Sequence, residues 1–172
     1  MIWHCDKFDF TTGTPIIMGV LNVTPDSFSD GGDFADVGAA VAHAQEMAEA
    51  GAAIIDVGGE STRPGAAEVD PEEEWRRIGA VVERLAALGL CVSVDTRHAS
   101  VAERAVAAGA SIINDVSGFR DPAMVAVAQG CDAGLVVMHM QGTPDTMQDA
   151  PTYTDVVDDV RDWLRDRCAA LE

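Results

Sequence analysis

Five short apolar runs, each followed by a polar loop and then a helical pattern, most tightly limit what this chain can fold into. Residues 16–21, 52–55, 90–94, 110–113 and 135–138 read as strands buried on both faces. Strands that alternate with helices build βαβ units and a parallel sheet. Each run ends in a polar residue, in order Asn22, Asp56, Asp95, Asn114 and His139. An amide or carboxylate is costly to bury without a partner. Five at matching positions therefore predict strand ends that converge on a polar ligand. In a parallel α/β barrel, that face is the C-terminal rim where active sites sit.

The helical patterns are well punctuated. Residues 37–50 form an alanine-rich helix closed by Gly51. Asp70, Pro71, Glu72 and Glu73 start another with a cap, a first-turn proline and acids at the positive dipole end. Its stripe of Trp75, Ile78, Val82 and Leu85 runs on to Gly89. A short helix spans 100–108, one begins near Asp121 and Pro122, and a last amphipathic helix covers about 153–171 with Val156, Val160, Trp163 and Leu164 on one side. No linker or low-complexity segment interrupts residues 1–172, which read as one domain. Five βα units are legible, whereas a closed (β/α)8 barrel needs eight strands and typically about 250 residues. A doubly wound open sheet is the alternative at this length.

Charge excludes some partners. Eleven basic residues against 29 acidic ones give a net charge of −18, a field that repels nucleic acid and anionic membranes. Any phosphate site must be built locally. Cys5, Cys91, Cys131 and Cys168 show no paired spacing, which argues against a disulfide framework or a zinc ribbon and fits a reducing cytoplasm. No secretory segment and no membrane-length apolar run is expected. There is no Walker A loop, no GxGxxG after a strand and no GxSxG elbow.

Each candidate site residue has a functional and a plain structural reading. Asn22 offers a neutral oxygen suited to Mg²⁺, or it caps a turn-rich loop. Arg63 stands among glycines, Ser61, Thr62 and Pro64, and is either a dedicated anion contact or the surface partner of Glu60 or Glu68. Asp95 and Asn114 together can read a flat heterocycle carrying ring donors and acceptors, or they brace loops. Asp56 leans to bracing. His139, between Met138 and Met140, reads as a structural residue before a catalytic one, and Met138 as an apolar wall or as core.

Together these segments resemble the dihydropteroate synthases, folate-biosynthesis enzymes of the pterin-binding TIM-barrel group. The resemblance is carried by residues 17–32 (IMGVLNVTPDSFSDGG), 55–65 (IDVGGESTRPG), 93–96 (SVDT), 112–118 (IINDVSG) and 137–142 (VMHMQG). It implies an incomplete (β/α)8 barrel of the pterin-binding type. It also implies a reaction in which 4-aminobenzoate displaces diphosphate from (7,8-dihydropterin-6-yl)methyl diphosphate to give 7,8-dihydropteroate. By that likeness Asn22 holds Mg²⁺ on the diphosphate, and Asp95 and Asn114 bind the pterin edge. Thr62, Arg63 and Pro64 then shape the diphosphate and aminobenzoate pocket, with Asp56 and Met138 lining the site. Phe28 and Asp30 belong to a closing loop. Family members are homodimers and continue into three further strands, with DPGFGFGK-like, SRK-like and Arg-x-His segments that are not found here. The resemblance thus leads us to expect the N-terminal portion of such an enzyme, with little turnover alone. The alternatives are an inactive fragment or paralogue, or a pterin-dependent methyltransferase, against which the loop at 60–65 argues.

Overall fold

A computed structural model describes residues 1–24, 33–61, 68–143 and 146–172, with the side chains of the first helix described from residue 37 on. The chain opens with an antiparallel hairpin, β1 (Ile2–Cys5) and β2 (Phe8–Thr11), turned at Asp6, whose φ is 53°. The strands β3 (Met18–Asn22), β4 (Ile54–Gly58), β5 (Val92–Asp95), β6 (Ile112–Asp115) and β7 (Gly134–Val137) follow. They alternate with helices α1 (Asp33–Glu49), α2 (Pro71–Ala87), α3 (Ala99–Ala107) and α4 (Pro122–Gln129), and α5 (Val156–Leu171) closes the chain. The hairpin is absent from the sequence reading because each of its strands is only four residues long and, Cys5 apart, exposed or half-buried, although β2 alternates as Phe8, Asp9, Phe10 and Thr11. The first helix begins four residues earlier than expected, and the last begins at Val156 rather than near Tyr153.

All five strands are parallel and stand in chain order, β3-β4-β5-β6-β7. That order decides between the two architectures. A doubly wound sheet reverses its strand order at a switch point and carries helices on both faces. Here there is no reversal among the described strands, and the helices pack on one face. The sheet is an arc of a (β/α)8 barrel.

Register shows how alternation sorts the side chains. Leu21, Val57, Val94, Ile113 and Leu135 pair across the sheet in one row. They meet Ala40 and Ala44 of α1, Ile78, Val82 and Leu85 of α2, Val101 and Ala105 of α3, and Met124 of α4 in the main core. The opposite face carries the row Val20, Asp56, Ser93, Ile112 and Gly134. Two residues farther along it carries the row Asn22, Gly58, Asp95, Asn114 and Val136. At the lower end of this inner face, Cys5, Ile54, Cys91 and Ile112 form a second core with Trp3, Phe8 and Phe10 of the hairpin. The hairpin is held there by Asp6 N–H donating to the Asp132 carbonyl at 2.7 Å and by Ser111 Oγ donating to Asp6 Oδ2 at 3.2 Å. Gly134 admits the close approach, since a Cβ there would sit 2.3 Å from Cys5 Sγ.

Helix caps follow the chemistry of the sequence. Asp70 Oδ1 accepts from Glu72 N–H at 2.9 Å and Asp121 Oδ1 from Ala123 N–H at 2.9 Å, each ahead of a first-turn proline.

Candidate functional site

Three of the five strand-end polar residues share one inward row. Register aligns Asn22 with Gly58, Gly58 with Asp95, and Asp95 with Asn114. Gly58 leaves a gap at the centre. The position its Cβ would take lies 3.5 Å from Asp95 Oδ2 and 3.8 Å from Asn22 Oδ1, so both oxygens flank the same point.

The other two differ from the expected common register. Asp56 lies within β4, one inward layer deeper and paired with Ser93, because β4 continues to Gly58. His139 lies beyond β7, which ends at Val137. The His139 ring packs edge-on against Trp163 of α5, with centroids 5.0 Å apart, and is tilted against Tyr153 at 5.9 Å. Trp163 is also flanked by the guanidinium groups of Arg120 and Arg167, each 5.7 Å from its ring. Gly118, at φ 72°, allows the indole to approach the loop after β6, where a Cβ would meet it at 2.4 Å. Met138 is half-buried in the same region, and its carbonyl lines the Gly118 contact.

Asp56 is tied to the row above. Asn114 Nδ2 donates to Asp56 Oδ2 at 3.1 Å, whereas Asp56 Oδ1 is buried without a hydrogen-bond partner. This bond fixes the sense of the Asn114 amide, because an ionised carboxylate only accepts. With that bond made by the amide nitrogen, Oδ1 remains as the acceptor of Asn114. Burial raises the pKa of Asp56, and the Asn114 amide and Ser93 hydroxyl beside it offset part of that rise. Asp95 is pushed up to about 7, first by burial and then by the charges of Asp56, Asp115 and Glu60. A row of acceptors that repel one another favours a ligand edge rich in N–H donors.

Asp115 has a different task. Its carboxylate accepts from Ser117 N–H at 2.7 Å, Ser117 Oγ–H at 2.8 Å and Phe119 N–H at 2.7 Å, and so braces the loop after β6. Phe119 is held at φ 55° and is fully buried. Thr62, Arg63, Pro64, Phe28 and Asp30 lie outside the described residues.

Just past the end of β4, Glu60 joins a buried cluster with Glu74, Thr96 and Arg97. Glu60 accepts from Arg97 Nη2 at 2.9 Å and Arg97 Nε at 3.1 Å, and from Val69 N–H at 3.0 Å. Burial alone would raise Glu60, but these donors hold it below the usual carboxylate range. Glu74 of α2 is fully buried and accepts from Thr96 Oγ–H at 3.1 Å. Burial pushes it up to about 7. The sequence did hold a signal for Glu74: it falls on the helical stripe that continues through Ile78, Val82 and Leu85, where a carboxylate needs a reason to be.

The profile of the pterin binding enzyme family matches residues 18–172. The chain belongs to that family. Among pterin binding enzymes, it is 46% identical over 171 residues to the dihydropteroate synthase of Neisseria meningitidis serogroup B, covering 98% of this chain and 60% of that protein. The crystal structure of Burkholderia cenocepacia dihydropteroate synthase complexed with 7,8-dihydropteroate superposes with a TM-score of 0.87 at 42% identity, covering 99% of this chain and 57% of that one. The Xanthomonas albilineans dihydropteroate synthase with 4-aminobenzoic acid gives a TM-score of 0.85 at 46% identity, over 99% of this chain and 61% of that one. The chain thus spans about three fifths of the length of the pterin binding enzymes it matches. Among the described residues, no helix is long and apolar enough to cross a membrane.

Proposed function

We propose that this chain carries the pterin- and diphosphate-binding face of a dihydropteroate synthase acting in the cytoplasm. The reaction joins (7,8-dihydropterin-6-yl)methyl diphosphate to 4-aminobenzoate with loss of diphosphate. The observation that carries the reading is the inward row of acceptors: Asp95 carboxylate, Asn114 Oδ1 and, just below, the unpartnered Asp56 Oδ1. A dihydropterin presents a complementary edge of ring N–H and amino donors. Its donors would stabilise the ionised form that burial and, after it, the neighbouring carboxylates disfavour, so Asp95 regains its charge against the ligand. That charge also favours the electron-poor methylene that develops as diphosphate departs. The aminobenzoate nitrogen attacks as a neutral amine, and no covalent link to the protein is needed.

Asn22 fits one position of a hard, oxygen-preferring Mg²⁺ whose remaining ligands are water and substrate phosphate. Its Oδ1 shares the Gly58 gap with Asp95. When bound, the ion would neutralise charge on the leaving diphosphate.

Calorimetric titration of the 172-residue chain with the dihydropterin diphosphate tests this reading. Binding should strengthen several-fold with Mg²⁺ and fall about 100-fold or more in Asp95→Ala. In Asn22→Ala the Mg²⁺ enhancement alone should disappear. Tight binding that ignores Asp95 would refute the assignment. Turnover with 4-aminobenzoate should be low for this chain by itself beside a full-length synthase, because binding groups that act as a unit are not additive.

A further inference from the structure

We propose that Glu60, Glu74 and His98 form a second metal site, for a divalent ion of the zinc and cobalt class, just past the end of β4. This site does not depend on the pterin reading and is distinct from the hard Mg²⁺ position at Asn22. One ligand atom from each of the three residues lies within 4.8 Å of the others. His98 Nε2 stands 3.6 Å from Glu60 Oε2 and 3.9 Å from Glu74 Oε2. Donors on a tetrahedral ion at about 2.0–2.2 Å are separated by roughly 3.4 Å. The two His98 contacts are close to that spacing, and the carboxylates, whose donor atoms lie within 4.8 Å, would draw together by up to about 1.4 Å to seat one.

Two atoms point to an occupant. Glu74 is fully buried, yet its Oε1 has no hydrogen-bond partner, and His98 Nε2 is likewise buried and unpartnered. Unsatisfied buried polar atoms are rare and call for a reason. His98 is also the N-cap of α3 but makes no side-chain cap bond. Its backbone N–H instead donates to Thr96 Oγ at 3.1 Å, and its ring reaches the carboxylates. The charge balance accepts a cation. Glu60 and Glu68 both pair with the Arg97 guanidinium, which lies 3.2 Å from Glu68, and Glu74 adds a third carboxylate within reach of its charge. Arg97 occupies one acceptor position on each Glu60 oxygen and leaves others open. An imidazole with two carboxylates suits zinc or cobalt better than magnesium.

The site also has a mechanical consequence. Glu60 starts the loop and accepts from Val69 N–H at its far end, while Arg77 of α2 donates to the Gly59 carbonyl at 2.9 Å. An ion bound here would tie the end of β4, α2 and the start of α3 together.

The experiment is a titration of the chelator-stripped 172-residue chain with Co²⁺, followed by visible absorption, alongside calorimetry with Zn²⁺. One equivalent should bind with the intense d–d bands of a tetrahedral nitrogen and oxygen site and no thiolate charge-transfer band. His98→Ala and Glu74→Gln should each weaken it tenfold or more. Zn²⁺ should raise the thermal midpoint of the parent chain but not of the variants. If circular dichroism shows His98→Ala to be unfolded, His98→Gln takes its place. No binding to the folded chain, a thiolate band, or affinity unchanged in the folded variants would each overturn the site.

Discussion

The two ends of the inner sheet face are built from the same strands and treat burial in opposite ways. At the lower end, Ile54, Cys91 and Ile112 pack against Cys5 and the hairpin aromatics, and the buried Ser111 hydroxyl is paired with Asp6. Two residues farther along, the same strands present Asn22, Asp95 and Asn114 around the Gly58 gap, with Asp56 buried just beneath. The first arrangement lowers free energy through apolar contact. The second holds carboxylates where their charge is disfavoured, as the raised Asp56 and Asp95 show. The lower end is where this fold stores stability, and the rim is where it spends some of it on recognition.

Substitutions can test that division. The largest effect belongs to the lower end. Ile112→Ala should cost about 2–5 kcal/mol in urea unfolding, because Ile112 is fully buried between the sheet and the hairpin. Affinity for the dihydropterin diphosphate, measured on the folded fraction, should be unchanged; a matching loss of affinity would break the separation. Asp95→Asn should act in the reverse sense. Folded Asp95 keeps its proton up to about 7, against 3.8 for a free aspartate side chain, so the unfolded chain releases that proton first. Stability from this group is therefore full at acid pH and falls as pH rises through that window. The asparagine variant should remove the loss and gain roughly 1–3 kcal/mol near pH 8, while binding the ligand at least tenfold more weakly. A stability curve parallel to that of the parent chain would show that Asp95 titrates normally.

The smallest expected effect sharpens the comparison most. A methyl group on Gly58 would make only ordinary contacts, at 3.5 Å and 3.8 Å. Gly58→Ala should therefore leave the unfolding midpoint within about 0.5 kcal/mol, yet weaken ligand binding several-fold by filling the gap. If stability and binding fall together, the gap is packed in the free chain rather than kept for a ligand.

Much of this arrangement was legible before any coordinates. Continuous apolar runs marked the five strands because parallel strands are covered on both faces, and Asp70 and Asp121 marked two helix starts because a carboxylate ahead of a proline has a cap to make. Asp95 and Asn114 were legible as a pair because β5 and β6 both place their polar residue at the rim. What escaped has physical causes as well. The extent of a strand past its polar residue is set by pairing with its neighbour, so Asp56 was placed one layer too high. The hairpin buries only part of each four-residue strand, too short a stretch for its pattern to stand out. The tie between Glu60 and Arg97 spans 37 residues and depends on loops whose course no local pattern predicts.

The tryptophans are distributed to the advantage of an observer. Trp3 is in the hairpin beside Phe10, Trp75 lies under the Arg104 guanidinium on α2, and Trp163 is wedged at the rim between His139 and two arginines. With only three in the sequence, variants keeping one indole apiece would give separate optical readings of the lower plug, the helical layer and the rim. The fluorescence of Trp163, in contact with Gly118 and the loop after β6, would then follow events at the Asn114 end of the site without any attached dye.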